Sequence, residues 1–197
     1  MDHLSLRSLT IPSYQPLNRI ADLKISRYND LMIRTILSDL SYVLLFPKNS
    51  TYKGTLNGLY DRIVTDPAGY NFNDYFTFNQ DLFNVYKQYG EQAEFDIFTS
   101  GHMQDDPAIK ETLFSLANEV FSAEELNLPK GEVNSYKTLA DILGLPINEI
   151  LYVDDDPINI TAAKDAGMQT IWFLTNQETI QKLQAVMTLN STPESNI

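Results

Sequence analysis

Leu151-Tyr152-Val153-Asp154-Asp155-Asp156-Pro157-Ile158-Asn159 joins a short apolar run to three consecutive carboxylates. A stretch with helical spacing, Ile160 to Gly167, follows, and then a second apolar run, Thr170-Ile171-Trp172-Phe173. Strand, acidic turn, helix and strand is the order of a parallel α/β unit, whose ligands bind beyond the carboxyl ends of the strands. Carboxylates crowded at such an end repel one another and lose hydration, so they persist where a cation neutralises them. Oxygen donors of this kind suit Mg²⁺. The plainer alternative is a loop of solvated acids.

Working outward, the same alternation recurs. Ile33-Arg34-Thr35-Ile36-Leu37-Ser38-Asp39 is an apolar run ending in an acid, and Glu94-Phe95-Asp96-Ile97-Phe98-Thr99 is a second strand candidate. Val120-Phe121 and Ile150 to Val153 complete the set with Thr170 to Phe173. Between them, Phe78, Leu82, Val85, Tyr86 and Tyr89 recur at helical intervals before Gly90, with capping-box spacing at Thr77-Phe78-Asn79-Gln80. Asp106-Pro107 opens a helix over Ile109, Leu113 and Leu116. Tyr136, Leu139 and Leu143 mark another helix, closed by Gly144, and Ile180, Leu183 and Met187 mark a last one over 177–187. Short, continuous apolar strands separated by single helices predict an α/β fold with a doubly wound, Rossmann-like parallel sheet covered on both faces.

Three segments stand apart from this core over 33–189. Residues 1–32 read as an N-terminal extension, and 190–197 as a polar, flexible tail. Residues 46–77 read as a small, irregular insertion with at most one short helix near Leu56 to Ile63. Its aromatics Tyr52, Tyr60, Tyr70, Tyr75 and Phe76 could form a lid, although packing beneath a short loop is the commoner use of such side chains.

Composition excludes several functions. The 197 residues carry 14 Lys and Arg against 26 Asp and Glu, a net charge of −12, which argues against nucleic acid or an anionic membrane as partner. There is no Cys, so disulfides and thiolate chemistry are excluded, and two His cannot make a His-rich metal site. No run approaches the length of a membrane-spanning helix, and a cytoplasmic protein is expected.

In a parallel sheet the polar strand ends Asp39, Thr99-Ser100 and Asp154-Asp155 share one rim. Lys130, in the loop Asn127-Leu128-Pro129-Lys130-Gly131, precedes a helix and can reach it. The order of these motifs resembles the haloacid dehalogenase-like (HAD) hydrolases from about Ile33 to Leu183. Asp39-Leu40-Ser41-Tyr42-Val43-Leu44 is similar to the nucleophile motif, and Phe95 to Gly101 to the hydroxyl motif. Lys130 with Tyr136 six residues on is similar to the third, and Val153 to Asn159, backed by Ala162, Ala163 and Gly167, to the fourth.

The resemblance implies a Mg²⁺-dependent phosphatase. It makes Asp39 the nucleophile that carries a transient phosphoryl group. Asp39, Asp155 and the backbone oxygen of Ser41 would hold Mg²⁺. Thr99, Ser100 and Lys130 would bind phosphate, with Lys130 also neutralising charge at Asp39. Asp154 would hold Lys130, and Asn159 would anchor the acidic loop.

Two departures qualify the expected chemistry. Phosphatases of this family usually carry a second aspartate two residues after the nucleophile as general acid–base, where this chain has Ser41. Such help is worth roughly 10²–10⁴-fold, so a phosphate ester or anhydride with a good leaving group is the expected substrate. Gly131 stands where many relatives have proline, which loosens the lysine loop. The small insertion leaves the site open, which suits a large substrate such as a phosphoprotein as well as a phosphorylated small molecule, or an oligomer whose partner chain closes it. The alternative is a catalytically weakened scaffold that binds a phosphorylated ligand or protein partner without turnover.

Overall fold

A computed structural model describes residues 32–190. The extension expected over 1–32 and the tail expected over 190–197 lie outside the described residues, apart from Met32 and Asn190, and Asn190 ends a helix instead of opening a tail. In chain order the elements are β1 (Thr35–Ser38), β2 (Leu45–Pro47), α1 (Leu56–Val64), α2 (Phe72–Tyr75), β3 (Phe76–Phe78), α3 (Gln80–Gln88) and β4 (Glu94–Thr99). Then follow α4 (Pro107–Phe114), β5 (Val120–Ser122), α5 (Val133–Leu143), β6 (Ile150–Asp154), α6 (Pro157–Ala166), β7 (Gln169–Trp172) and α7 (Asn176–Asn190).

Five strands form one sheet in the order β5-β4-β1-β6-β7, and every pairing in it is parallel. Side-chain alternation divides the core between its two faces. Ile36, Phe95, Ile97, Leu151 and Val153 point to one face, under Leu56, Tyr60, Phe83, Leu113 and Leu183 from α1, α3, α4 and α7. Leu37, Phe98, Ile150 and Tyr152 point to the other, under Tyr136, Leu139, Ala162 and Ala163 from α5 and α6. Small alanines let α6 lie close against β6. Gly144 and Gly167 close α5 and α6 in the left-handed region, where a side chain would be strained.

Two expectations are corrected. The capping-box spacing at Thr77 is not used. Thr77 belongs to β3, which pairs antiparallel with β2, and Asn79 caps α3 by accepting the Leu82 N–H at 3.3 Å. The acidic loop's helix begins at Pro157, three residues before Ile160. Asp156 accepts the Ile158 N–H at 2.8 Å, and proline's fixed φ suits the first turn.

The insertion is also more ordered than its composition suggests, with α1, α2 and the β2–β3 ribbon. Strands of three residues are too short to show a period, so the ribbon leaves no signal in the pattern. Leu56, Tyr60, Ile63, Phe72 and Phe76 are buried in the same cluster as β1 and β4. Tyr60 and Tyr70 both donate to Asp106 Oδ2, the former at 2.9 Å, while Asp106 Oδ1 caps α4 through the Ala108 N–H at 2.8 Å. The insertion is thereby joined to the segment that follows β4.

Candidate active site

The sheet register fixes which strand ends meet. Ser38 is level with Ile97 on one side and Val153 on the other, so the next residues, Asp39, Phe98 and Asp154, fall in line across the rim. The ladder extends one step past β1, because the Asp39 N–H donates to the Val153 carbonyl at 2.8 Å. Asp39 then sits at the mouth of a tight loop. The N–H groups of Leu44 and Leu45 both bond the Leu40 carbonyl, and Tyr42 adopts a left-handed φ of 58° to allow it. Asn79 anchors this loop from below, donating to the Val43 carbonyl at 2.7 Å and pairing with Asn176 of α7.

Lys130 enters from the loop before α5 with only 4% of its side chain exposed. Its ammonium lies 2.8 Å from Asp39 Oδ1 and 2.8 Å from Asp154 Oδ2. The rings of Phe98 and Tyr152 flank it, with centroids at 5.5 and 5.8 Å. Burial disfavours the ammonium, yet the two carboxylates outweigh that cost and hold Lys130 above its ordinary pKa.

The two aspartates that hold Lys130 are held differently. Asp39 Oδ1 also accepts the Leu40 N–H at 2.8 Å, while Oδ2 takes no hydrogen bond from the described residues. Asp154 is completely buried and saturated. Its Oδ1 accepts the Asp156 N–H at 2.7 Å, its Oδ2 accepts the Tyr152 hydroxyl, and the Asn159 amide reaches both oxygens at 3.2–3.3 Å.

Asp155 follows, half-buried, with the Trp172 indole N–H donating to its backbone carbonyl at 2.9 Å. One carboxylate oxygen from each of Asp39, Asp154 and Asp155 lies within 4.8 Å of the others. Three negative charges therefore face one ammonium. Burial, together with Asp154 and Asp155, pushes Asp39 up to about 7 against the pull of Lys130. Burial and Asp154 push Asp155 up to about 6. Such strain between like charges marks a place where a divalent cation is favoured. With the lone pairs of Asp154 directed to protein donors, Asp39 and Asp155 are the carboxylates left to bind one. No hydrogen bond among the described residues goes to the Ser41 carbonyl, and Ser41 is half-buried in the Asp39 loop.

Asp39, Lys130, Asp154, Asp155 and Asn159, expected together from the sequence, thus converge at one point. Thr99 and Ser100 lie on the same rim but outside this network. Thr99 is buried at the end of β4 in the phase of Ile97, opposite to Phe98, and Ser100 is exposed. Tyr152 is the participant that the motif reading missed. It was findable, because it lies two residues before Asp154 on one strand and so shares its face.

No protein-family model matches the chain. A segment of 42 residues, 21% of this chain, is 48% identical to enolase-phosphatase E1 of Aquifex aeolicus, and the match spans 19% of that relative's length. In structure the chain is similar to a predicted HAD-like family hydrolase of Porphyromonas gingivalis, with a TM-score of 0.58, 14% identity, and coverage of 79% of this chain and 98% of that one. It is also similar to a HAD family enzyme of Bacteroides thetaiotaomicron solved with magnesium and inorganic phosphate (TM-score 0.54, 14% identity, 71% and 93% covered). An uncharacterised protein of Corynebacterium glutamicum is matched over 84% of this chain and 99% of its own, at a TM-score of 0.54 and 15% identity. The chain has the fold of the HAD-like hydrolases. Among the described residues, no helix is long and apolar enough to cross a membrane.

Proposed function

We propose that this protein is a Mg²⁺-dependent hydrolase that removes phosphate from a phosphorylated small molecule with a good leaving group, through a phosphoryl group carried on Asp39. The observation that carries this reading is the asymmetry of Asp39. One of its oxygens is fixed by Lys130 and the Leu40 N–H, and the other takes no hydrogen bond from the described residues, in a carboxylate that clusters with Asp155. A nucleophile needs that combination of a held carboxylate and a free lone pair. The magnesium and phosphate bound by the Bacteroides enzyme support the same chemistry, as does the phosphatase name of the Aquifex relative.

The residues present fit the metal. Hard oxygen donors, two of them carboxylates raised above their ordinary range by burial and by the neighbouring Asp154, are what Mg²⁺ selects. Asp39, Asp155 and the Ser41 carbonyl would hold it, and when bound it would offset the repulsion between an anionic nucleophile and an anionic phosphate.

The remaining work belongs to the chain. Asp39 Oδ2 attacks phosphorus, and the new O–P bond forms as the bond to the leaving oxygen breaks. Lys130, already placed between Asp39 and Asp154, favours the ionised form of the attacking carboxylate and stabilises charge spreading over the phosphoryl oxygens. Asp154 cannot turn toward substrate, because its own donors fix it, so it serves to hold Lys130. Of the two rim hydroxyls expected to meet the phosphate, Ser100 is exposed, whereas Thr99 is buried in the phase opposite to Phe98. Water then attacks phosphorus, releasing inorganic phosphate and regenerating Asp39. At Ser41 no strong acid is present to protonate the departing oxygen, which therefore leaves as a stable anion or takes its proton from water.

Hydrolysis of an aryl phosphate by the purified protein with Mg²⁺ tests this reading, with Asp39→Asn as the inactive control. Equal rates for the two forms would favour the second reading, a phosphoryl-binding scaffold without turnover, for which Ser41 is the supporting observation. Capture of beryllium fluoride at Asp39 would favour the enzyme.

A further inference from the structure

Tyr152 has no role in the steps above, yet it is completely buried within the network that performs them. Its hydroxyl donates to Asp154 Oδ2, the same oxygen that lies 2.8 Å from the Lys130 ammonium. Its ring forms one wall beside that ammonium, and Tyr136 stands edge-on against it with ring centroids 5.1 Å apart. We propose that Tyr152 is a positioning residue whose hydroxyl divides the Lys130 ammonium between Asp154 and Asp39, an inference that rests on the phosphoryl-transfer reading of the site.

The argument is one of competition for a single oxygen. A carboxylate oxygen that already accepts a hydroxyl has less charge and fewer open directions for an ammonium. Asp154 is also held by the Asp156 N–H and the Asn159 amide, so it cannot rotate to offer Lys130 a better lone pair. Lys130 is consequently shared with Asp39 Oδ1, at the same 2.8 Å. Without the hydroxyl, the direction it occupied opens, and Lys130 moves toward Asp154 and away from Asp39. The nucleophile then loses its neutralising partner in the step where charge develops. Substrate binding at the exposed rim and through the metal ligands is left as it was. Strand geometry makes the device local, since Tyr152 and Asp154 are two residues apart on β6 and project from the same face.

Tyr152→Phe keeps the ring and deletes the hydroxyl, so it isolates the effect. Outer-sphere partners of this kind are worth about 10–100-fold. We expect kcat on an aryl phosphate to fall by about that factor with KM within about twofold of the parent, the pattern of an interaction used in the transition state. A crystal structure of the metal-free variant is expected to show Lys130 beyond hydrogen-bonding distance of Asp39 Oδ1. Tyr60→Phe, which removes a tyrosine hydroxyl from Asp106 in the insertion, is the control for ordinary destabilisation and is expected to keep the parent kcat. Unchanged kcat in Tyr152→Phe, an equal loss in the control, or Lys130 undisturbed in the metal-free crystal each overturn the inference and leave the phosphatase reading standing. If the parent protein hydrolyses no phosphate ester, the functional reading fails, and the position of Lys130 in the metal-free crystal alone decides whether Tyr152 divides it.

Discussion

The Lys130 ammonium and the Asp39 carboxylate meet at 2.8 Å in a pocket where both side chains are less than a tenth exposed. Chain folding brings them together across 91 residues, and Asp154 completes the contact from the neighbouring strand. A buried charge whose partner is deleted becomes very costly, by about 3–5 kcal/mol. Lys130→Met is therefore expected to lower stability by roughly that amount and to abolish phosphate release. Urea unfolding measures the first, and an aryl phosphate assay the second. A variant as stable as the parent would show that the ammonium does not neutralise this cluster.

Protons and metal compete for the same carboxylates. Asp39 and Asp155 titrate near their ordinary 3.8 once unfolded, but folding pushes them up to about 7 and about 6. The folded state then binds more protons than the unfolded one between these limits, so metal-free stability falls as pH rises through that window. Bound Mg²⁺ must displace those protons, so its stabilising effect grows in the same direction. Melting temperatures with and without Mg²⁺ at about pH 5 and about pH 8 check both signs. A Mg²⁺ effect that is flat, or greater at the acid end, contradicts the assignment.

Ser41→Asp restores a proton donor beside the nucleophile. Turnover of alkyl phosphates is expected to rise, by up to roughly 10²–10⁴-fold if the new carboxyl is well aimed, while aryl phosphates gain much less. The ratio of kcat/KM for the two ester classes is the measurement. A ratio that does not move removes the leaving-group argument.

Asp106 joins the insertion to the core. Asp106→Ala deletes the α4 cap, worth about 0.5–2 kcal/mol, and leaves the buried Tyr60 hydroxyl unpaired, worth about 1–3 kcal/mol. A loss of roughly 2–4 kcal/mol is expected by chemical denaturation, with the unfolding still a single transition. Two separate transitions would mean that the insertion folds apart from the sheet.

Local signals made much of this molecule readable. Asp106-Pro107 and Asp156-Pro157 each open a helix by the same cap and ring geometry. The stretch from Glu94 to Thr99 is a strand to the residue, because an apolar run bounded by polar residues leaves few other solutions for its backbone. Where signals were short or non-local they misled. Thr77 has the spacing of a cap but is claimed by pairing with Phe46, a contact that no local window contains.

The division at the site follows the same physics. Residue order alone determined that a parallel sheet would carry Asp39 and Asp155 at its carboxyl rim, since apolar periodicity and helix caps act over a few neighbours. Only the tertiary structure decided that Lys130 lies buried between Asp39 and Asp154, that Tyr152 shares its oxygen, and that one oxygen of Asp39 stays open. Those outcomes depend on which distant groups exclude water together, because desolvation and charge act through space and not along the chain.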